Sequence, residues 1–339
     1  MLAYLYMHDL NDIARTLLAA GKGLLAADES NASADKRLEQ YGIETGEAMR
    51  RNYRELFLDT PGVEQYISGV IMYEETMHQA ANDGTPFAQL LVNKGIVPGI
   101  KVDQGLDPFP DEGGEEQITK GLIGLPERLQ GFRNMYHPSF TKWRAVIKID
   151  GTRLPTAQAI HENAKRLASY AVEAQRVGMV PLVEPEVLLA GNHSRLRARE
   201  VLAQTLSTLM SAMEDQAVDM SGVILKTAMA VSGSESGKTD TPEEVAEDTL
   251  GVLMEVVSPK LPGIVFLSGG QTDDQATENL RAICKLAKEK NAPWPLTFSY
   301  ARALQDEALR AWAGKEENVP AAREAFIARL KKVQGALNG

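Results

Sequence analysis

The sequence predicts an α/β protein, a (β/α)8 TIM barrel folded as a single domain over residues 1–339, and three observations predict it. Short runs rich in Val, Ile, Leu and Ala alternate with charged, amphipathic stretches. The alternation recurs about eight times, which is the arithmetic of a barrel of ~250 residues or more. Each apolar run ends in a polar or charged residue, and barrel chemistry sits at the C-terminal ends of the strands.

The runs, in order, are Gly23–Asp28, Ile67–Tyr73, Val97–Asp103, Ala145–Asp150, Met179–Glu184, Gly222–Lys226, Gly263–Ser268 and Leu296–Tyr300. Runs so continuously apolar suit parallel strands buried on both faces. Helical periodicity fills the intervals over Glu47–Phe57, Gln158–Val177, Arg195–Gln216, Pro242–Val257 and Asp274–Lys290. Thr241-Pro-Glu-Glu is a helix start with its signals in place: Thr241 as N-cap, Pro242 at the first position, Glu244 closing a capping box. An N-terminal helix precedes the first strand, and Pro320–Leu337 supplies a C-terminal one with no long tail beyond it. The alternative, a doubly wound open sheet, needs a Gly-rich fingerprint after its first strand. Gly21-Lys-Gly23 lies before that strand and does not provide it. No Pro- or Ser-rich linker divides the chain; the acidic stretch Gln104–Glu116 reads as a long surface loop.

Composition narrows the function. With 36 Lys+Arg against 46 Asp+Glu the formal charge is −10, and no basic block offers a surface for nucleic acid or anionic lipid. An anionic ligand would have to be held by a local cluster of cations. The single cysteine, Cys284, excludes an internal disulfide and suits a reducing compartment. The N-terminus lacks the basic region and apolar core of a signal peptide, and no apolar run is long enough for a bilayer. We expect a soluble cytoplasmic protein without nucleic-acid or membrane partners.

The strand-terminal polar residues are Asp28, Lys101, Lys148, Glu184, Glu186, Lys226, Ser268, Ser299 and Arg302. Strand alternation turns Lys226 the same way as Ile224, and Glu184 the same way as Leu182 and Glu186. Lysines and carboxylates thus converge on one mouth, without a histidine. The five histidines, His8, His78, His137, His161 and His193, have no paired ligand spacing, so no metal and no cofactor is expected. A lysine at the end of a buried strand is either a structural ion pair or a Schiff-base nucleophile. Several lysines in one mouth favour a neutral amine, and nearby carboxylates can shuttle the protons of imine formation. Ser268-Gly-Gly-Gln271 exposes backbone N–H groups beside Arg302, at the address where barrels hold phosphate. Gly233-Ser-Glu-Ser-Gly-Lys-Thr239 imitates a P-loop but has three residues between its glycines where the motif needs four; it reads as a polar loop. Met210 and Met213 share a helix face and read as core, as does Cys284.

Taken in order, Gly21-Lys-Gly-Leu-Leu-Ala-Ala-Asp28-Glu-Ser30, Gly99-Ile-Lys101-Val-Asp103, Lys142-Trp-Arg144, Val183-Glu184-Pro-Glu186, Leu225-Lys226, Phe266-Leu-Ser268-Gly-Gly-Gln271 and Leu296-Thr-Phe-Ser-Tyr-Ala-Arg302 resemble class I fructose-bisphosphate aldolase from about residue 10 to about residue 335. The resemblance implies reversible, metal-free cleavage of fructose 1,6-bisphosphate to dihydroxyacetone phosphate and glyceraldehyde 3-phosphate through a lysine imine. By that resemblance Lys226 forms the imine, and Glu184 exchanges protons with the carbinolamine, assisted by Glu186 and Lys142. Asp28 takes the C4 hydroxyl proton. Ser268, Gly269 and Arg302 hold the C1 phosphate, while Ser30, Ser33, Lys101 and Arg144 receive the other end. Small-molecule sugar phosphates and a homotetramer are the implied partners.

Two departures stand out. The glycine of the family's Ser-Tyr-Gly-Arg motif is Ala301, which would crowd the phosphate, and the C-terminal tyrosine of animal members has no counterpart. One choice is open: position selects Lys148 at the end of the fourth run, whereas the motif selects Lys142 and Arg144 at its start. The alternatives to cleavage of fructose 1,6-bisphosphate are an imine aldolase for fructose 1-phosphate or sedoheptulose 1,7-bisphosphate, and a sugar-phosphate-binding scaffold without turnover.

Overall fold

The computed structural model describes residues 9–110 and 114–339; His8 and the tip of the Gln104–Glu116 stretch lie outside them. The eight strands are β1 (Gly23–Ala27), β2 (Ile67–Met72), β3 (Val97–Lys101), β4 (Phe140–Ile147), β5 (Val180–Val187), β6 (Ile224–Thr227), β7 (Gly263–Phe266) and β8 (Leu296–Tyr300). All pair in parallel, each with its neighbours in sequence, and β8 closes on β1. The helices are α1 (Leu10–Leu17), α2 (Asn31–Gln40), α3 (Glu47–Leu58), α4 (Glu74–His78), α5 (Phe87–Asn93), α6 (Leu125–Tyr136), α7 (Ala157–Arg176), α8 (Arg195–Asp215), α9 (Pro242–Val256), α10 (Asp273–Glu289), α11 (Arg302–Trp312) and α12 (Val319–Ala336). This is the (β/α)8 barrel the alternation predicts. The Thr241 capping box forms with both of its bonds, and a second, Thr272 with Gln275, starts α10.

Alternation along each strand sorts side chains into two cores. Leu24, Ala26, Leu182 and Ile224 face inward and pack with Phe140 and Val180 on Ala14, Leu17 and Leu18, so that α1 and the turn after it plug the N-terminal end. Leu25, Ala27, Val183 and Leu225 face outward into the larger shell against the helices, where Met210, Met213 and Cys284 also pack. Phe140 fits the floor because β3 carries Gly99 beside it: a Cβ there would stand 2.3 Å from the ring. Gly99→Ala is expected to cost about 1–3 kcal/mol by overpacking. A urea midpoint equal to wild type would show that the floor has room to spare.

Most strand bounds fall within two residues of the sequence reading, and three segments differ more. The fourth strand starts at Phe140, five residues early, and ends at Ile147. Inward-facing Lys142 and Arg144 interrupt its apolar signal, although Thr141 and Trp143 continue it on the outer face. Lys148 therefore falls past the strand, outside the mouth, and pairs with Glu115 on the surface. The fifth strand runs on to Val187, since Glu184 and Glu186 belong to it rather than ending it. The Gln104–Glu116 stretch is not simply a loop; it connects and partly forms an antiparallel hairpin, Leu106–Pro108 against Gln117–Thr119.

Candidate functional site

At the C-terminal ends of the strands lies a cavity of about 610 Å3. All the residues given a role by the family motifs line it: Asp28 just past β1, Ser30 and Ser33 at the start of α2, Lys101 on β3, Lys142 and Arg144 on β4, Glu184 and Glu186 on β5, Lys226 on β6, Ser268 and Gly269 after β7, and Arg302 opening α11. Lys148 does not.

The deepest part is an alternating chain of charges. Lys226 Nζ lies 2.9 Å from Glu184 Oε1, and Lys142 Nζ lies 2.6 Å from Glu184 Oε2, an ion contact whose angle does not make a hydrogen bond. The same ammonium donates to Asp28 Oδ2 at 2.8 Å. These four side chains are at most 8% exposed as residues, and two carboxylates there face two lysines. Burial of such groups is tolerable only when charges offset one another. For Asp28, burial alone raises the pKa, yet Lys142 and Lys226 together overcome it and hold the carboxyl at about 2. Glu184 is also held below its ordinary value, with burial again opposed by Lys142 and then Lys226. Lys142 is raised in turn, because Asp28 and Glu184 outweigh the burial that would neutralise it. In the resting protein Lys142 is a cation between two anions.

These shifts set an acid limit. A carboxylate with a depressed folded pKa stabilises the fold fully above its unfolded pKa and loses that contribution as pH falls through the folded value. For Asp28 the window runs from 3.8 down to about 2, and Glu29 and Glu184 shift in the same direction. Circular dichroism on acid titration should therefore hold its native signal to about pH 4 and lose it below. Unfolding complete by about pH 5 would contradict the charge arrangement.

Either side of this cluster the cavity offers anion donors. Ser30 is the N-cap of α2, its Oγ accepting the N–H of Ser33, and the two hydroxyls lie 3.0 Å apart. A helix N-terminus with two hydroxyls favours a phosphate. Lys101 and Arg144 stand nearby, held by Asp103 and Glu186: Asp103 Oδ1 is 2.6 Å from Lys101 Nζ, its Oδ2 accepts the Arg144 N–H, and Arg144 Nε contacts Glu186. Across the mouth, Gly269 and Gly270 take φ of 57° and 94°, the left-handed turn that aims backbone N–H groups outward, beside Arg302. Ala301 lines the cavity at φ −108° and ψ −91°, and it packs partly on the inner core.

Sequence reasoning missed the support for these groups. Asp103 shares a face with Lys101 two residues earlier, a signal that alternation could have supplied. Glu29 had no such signal. It binds two buried arginines, Arg37 at 3.2 Å and Arg54 at 2.6 Å, from helices that look solvent-facing in sequence, and Arg37 reaches on to Asp306 of α11. The turn after β1, which carries Asp28 and Ser30, is thereby fastened to three helices.

Comparison with known proteins shows what the whole chain is similar to. The family profile described as "Fructose-bisphosphate aldolase class-I" matches residues 9–339. "Fructose-bisphosphate aldolase 6, cytosolic" of Arabidopsis thaliana is 46% identical over 311 residues, 92% of this chain and 85% of that protein. "Fructose-bisphosphate aldolase" of Drosophila melanogaster is 44% identical, covering 98% of this chain and 90% of its own. The solved structure of fructose-bisphosphate aldolase from Plasmodium falciparum, in complex with TRAP and a small molecule inhibitor, superposes with a TM-score of 0.93 at 42% identity, over 97% of this chain and 93% of that one.

Proposed function

The chain belongs to the class I fructose-bisphosphate aldolase family, and from that premise we propose how its own residues carry out the cleavage. It is a carbon–carbon lyase that splits fructose 1,6-bisphosphate reversibly into dihydroxyacetone phosphate and glyceraldehyde 3-phosphate, a step of glycolysis. The observation that carries the residue assignment is the buried contact of Lys226 with Glu184, itself shared with Lys142.

Lys226 Nζ attacks the C2 carbonyl of the open-chain sugar, and the carbinolamine hydroxyl leaves as water on a proton delivered through Glu184. The protonated imine then accepts the electron pair of the C3–C4 bond. The C4 hydroxyl gives its proton to Asp28 and becomes the aldehyde of the leaving triose. The remaining enamine gains a proton at C3 while Asp28 gives up the one it took, and water adds to C2 of the imine to free Lys226 and the ketone. Lys142 keeps Asp28 and Glu184 ionised between these events, and Glu186 holds Arg144 in place. Ser268, Gly269 and Arg302 fit the C1 phosphate; Ser30, Ser33, Lys101 and Arg144 fit the C6 phosphate. The separation of these two cationic ends by the lysine cluster supports a bisphosphate over a ketose with one phosphate.

We extend the reading to all 339 residues serving one barrel domain, in a cytoplasmic homotetramer. The Arabidopsis relative is named cytosolic, and among the described residues no helix is long and apolar enough to cross a membrane. The deciding experiment adds borohydride to the protein with dihydroxyacetone phosphate, with and without chelator, and maps the adduct by peptide mass. A chelator-insensitive adduct on Lys226 supports the assignment. An adduct on another lysine, or none, overturns it.

A further inference from the structure

The barrel is not hydrogen-bonded evenly around its rim. Between β5 and β6 the ladder pairs Leu182 with Ile224 and Val183 with Leu225, and there it stops. The next pair in register would be Glu184 with Lys226. Beyond this point β5 stays with β4 as far as Ile147 opposite Val187, while β6 stays with β7 as far as Thr227 opposite Phe266. The wall therefore parts where the imine-forming lysine faces its carboxylate. Past the strand ends, a cavity of about 20 Å3 is lined by Val187, His193, Met229 and Gln271.

Above it the two strands are rejoined by their loops, and the joining segment is the P-loop-like stretch that has no nucleotide role in the cleavage. Gly233 N–H donates to His193 O, Ser234 N–H to Leu189 O and Glu235 N–H to Gly191 O, all at 2.8–2.9 Å. Ser232 Oγ accepts the Arg195 N–H and donates to Asp240, which also accepts the Ser232 N–H. His193, 6% exposed, lies in the seam with its Nδ1 unpartnered. The approach is so close that a Cβ on Gly233 would stand 2.2 Å from Gly191 O and 2.7 Å from Gly191 C. Both are backbone atoms that cannot swing aside.

We propose that the Ser232–Glu235 segment is a clamp that fixes the spacing of Glu184 and Lys226, with Gly233 as its positioning residue for proton transfer in imine formation. This rests on the roles given above to Lys226 and Glu184. A strand edge without ladder bonds can splay, and proton transfer within a 2.9 Å contact is lost steeply with small displacement. The segment itself makes no hydrogen bond to Ser30, Ser33, Lys101, Arg144, Ser268, Gly269 or Arg302, although Leu189 and His193, which it holds, line a small cavity with Ser268 and Gly269. A clamp on the strand spacing is therefore read in the rate of imine formation, and a loosened phosphate turn in KM.

The test compares Gly233→Ala with wild type and with Gly237→Asn, a control in the same loop where a Cβ meets nothing within 4 Å and Asn tolerates the left-handed backbone. Borohydride trapping with dihydroxyacetone phosphate reads imine formation against time, and steady-state cleavage reads kcat and KM. In Gly233→Ala we expect imine formation and kcat to fall about tenfold or more, with KM for fructose 1,6-bisphosphate within about threefold of wild type and a full final yield of Lys226 adduct per chain. Gly237→Asn should match wild type. An unchanged trapping rate in folded Gly233→Ala overturns the proposal, as does a rise in KM at unchanged kcat. Should Gly233→Ala fail to fold, Ser232→Ala decides: a twofold or greater slowing of trapping at wild-type KM supports the clamp, and no slowing overturns it. Absence of a Lys226 adduct in the wild-type protein would instead sink the assignment of the lysine, so the two failures are distinguishable.

Discussion

Lys226→Met should lower cleavage of fructose 1,6-bisphosphate by at least about 10⁴-fold and abolish the borohydride adduct. Without the amine there is no imine to accept the electrons of the C3–C4 bond, and no other lysine is placed to substitute: Lys142 is bound to two carboxylates and Lys101 to Asp103. Stability should change little. Glu184 keeps its Lys142 contact, and Met fills much of the lysine's volume at a site where Lys226 is 3% exposed. Equilibrium binding of an unreactive sugar bisphosphate should survive, because the phosphate donors lie elsewhere. Cleavage at a tenth of the wild-type rate would remove Lys226 from the mechanism.

Lys142→Met should do the reverse in stability and nearly the same in activity. Asp28 and Glu184 would lose the cation between them, leaving two buried carboxylates with Lys226 as their remaining lysine neighbour. Breaking such a buried arrangement costs about 3–5 kcal/mol, and loss of acid–base assistance lowers the rate by about 10²–10⁴-fold. Adding Glu184→Gln should restore part of the stability by removing one orphaned charge, while activity falls further. Urea unfolding of the single and double variants checks this. Equal midpoints for wild type and Lys142→Met would mean that the cluster is wetter than its burial indicates.

The outline of the barrel was legible because buried parallel strands leave apolar runs that nothing else in the chain imitates. The legibility failed at β4, where Lys142 and Arg144 point into the mouth and break the run. A strand that lines the site was thus the one whose start was misplaced furthest. The same charges, once matched to a family motif, marked the site that hydropathy had hidden. Residues that act through others left less trace. Asp103 could be read from alternation, but Glu29 with Arg37 and Arg54 joins β1 to α2 and α3 across the fold, and no local spacing encodes that. Gly233 was noticed for an imitation of nucleotide binding, whereas its structural reason is the nearness of Gly191.

The plugged floor has a consequence for traffic. With α1, Phe140 and Leu17 filling the N-terminal end, the chamber formed by the described residues is blind on that side and opens at the C-terminal ends of the strands. Lys226 sits in the buried cluster above that floor, so on the proposed mechanism the triose attached to it stays anchored while the other is free to go. The covalent bond then sets the order of departure, aldehyde first and ketone last, and the filled floor directs both toward the strand ends.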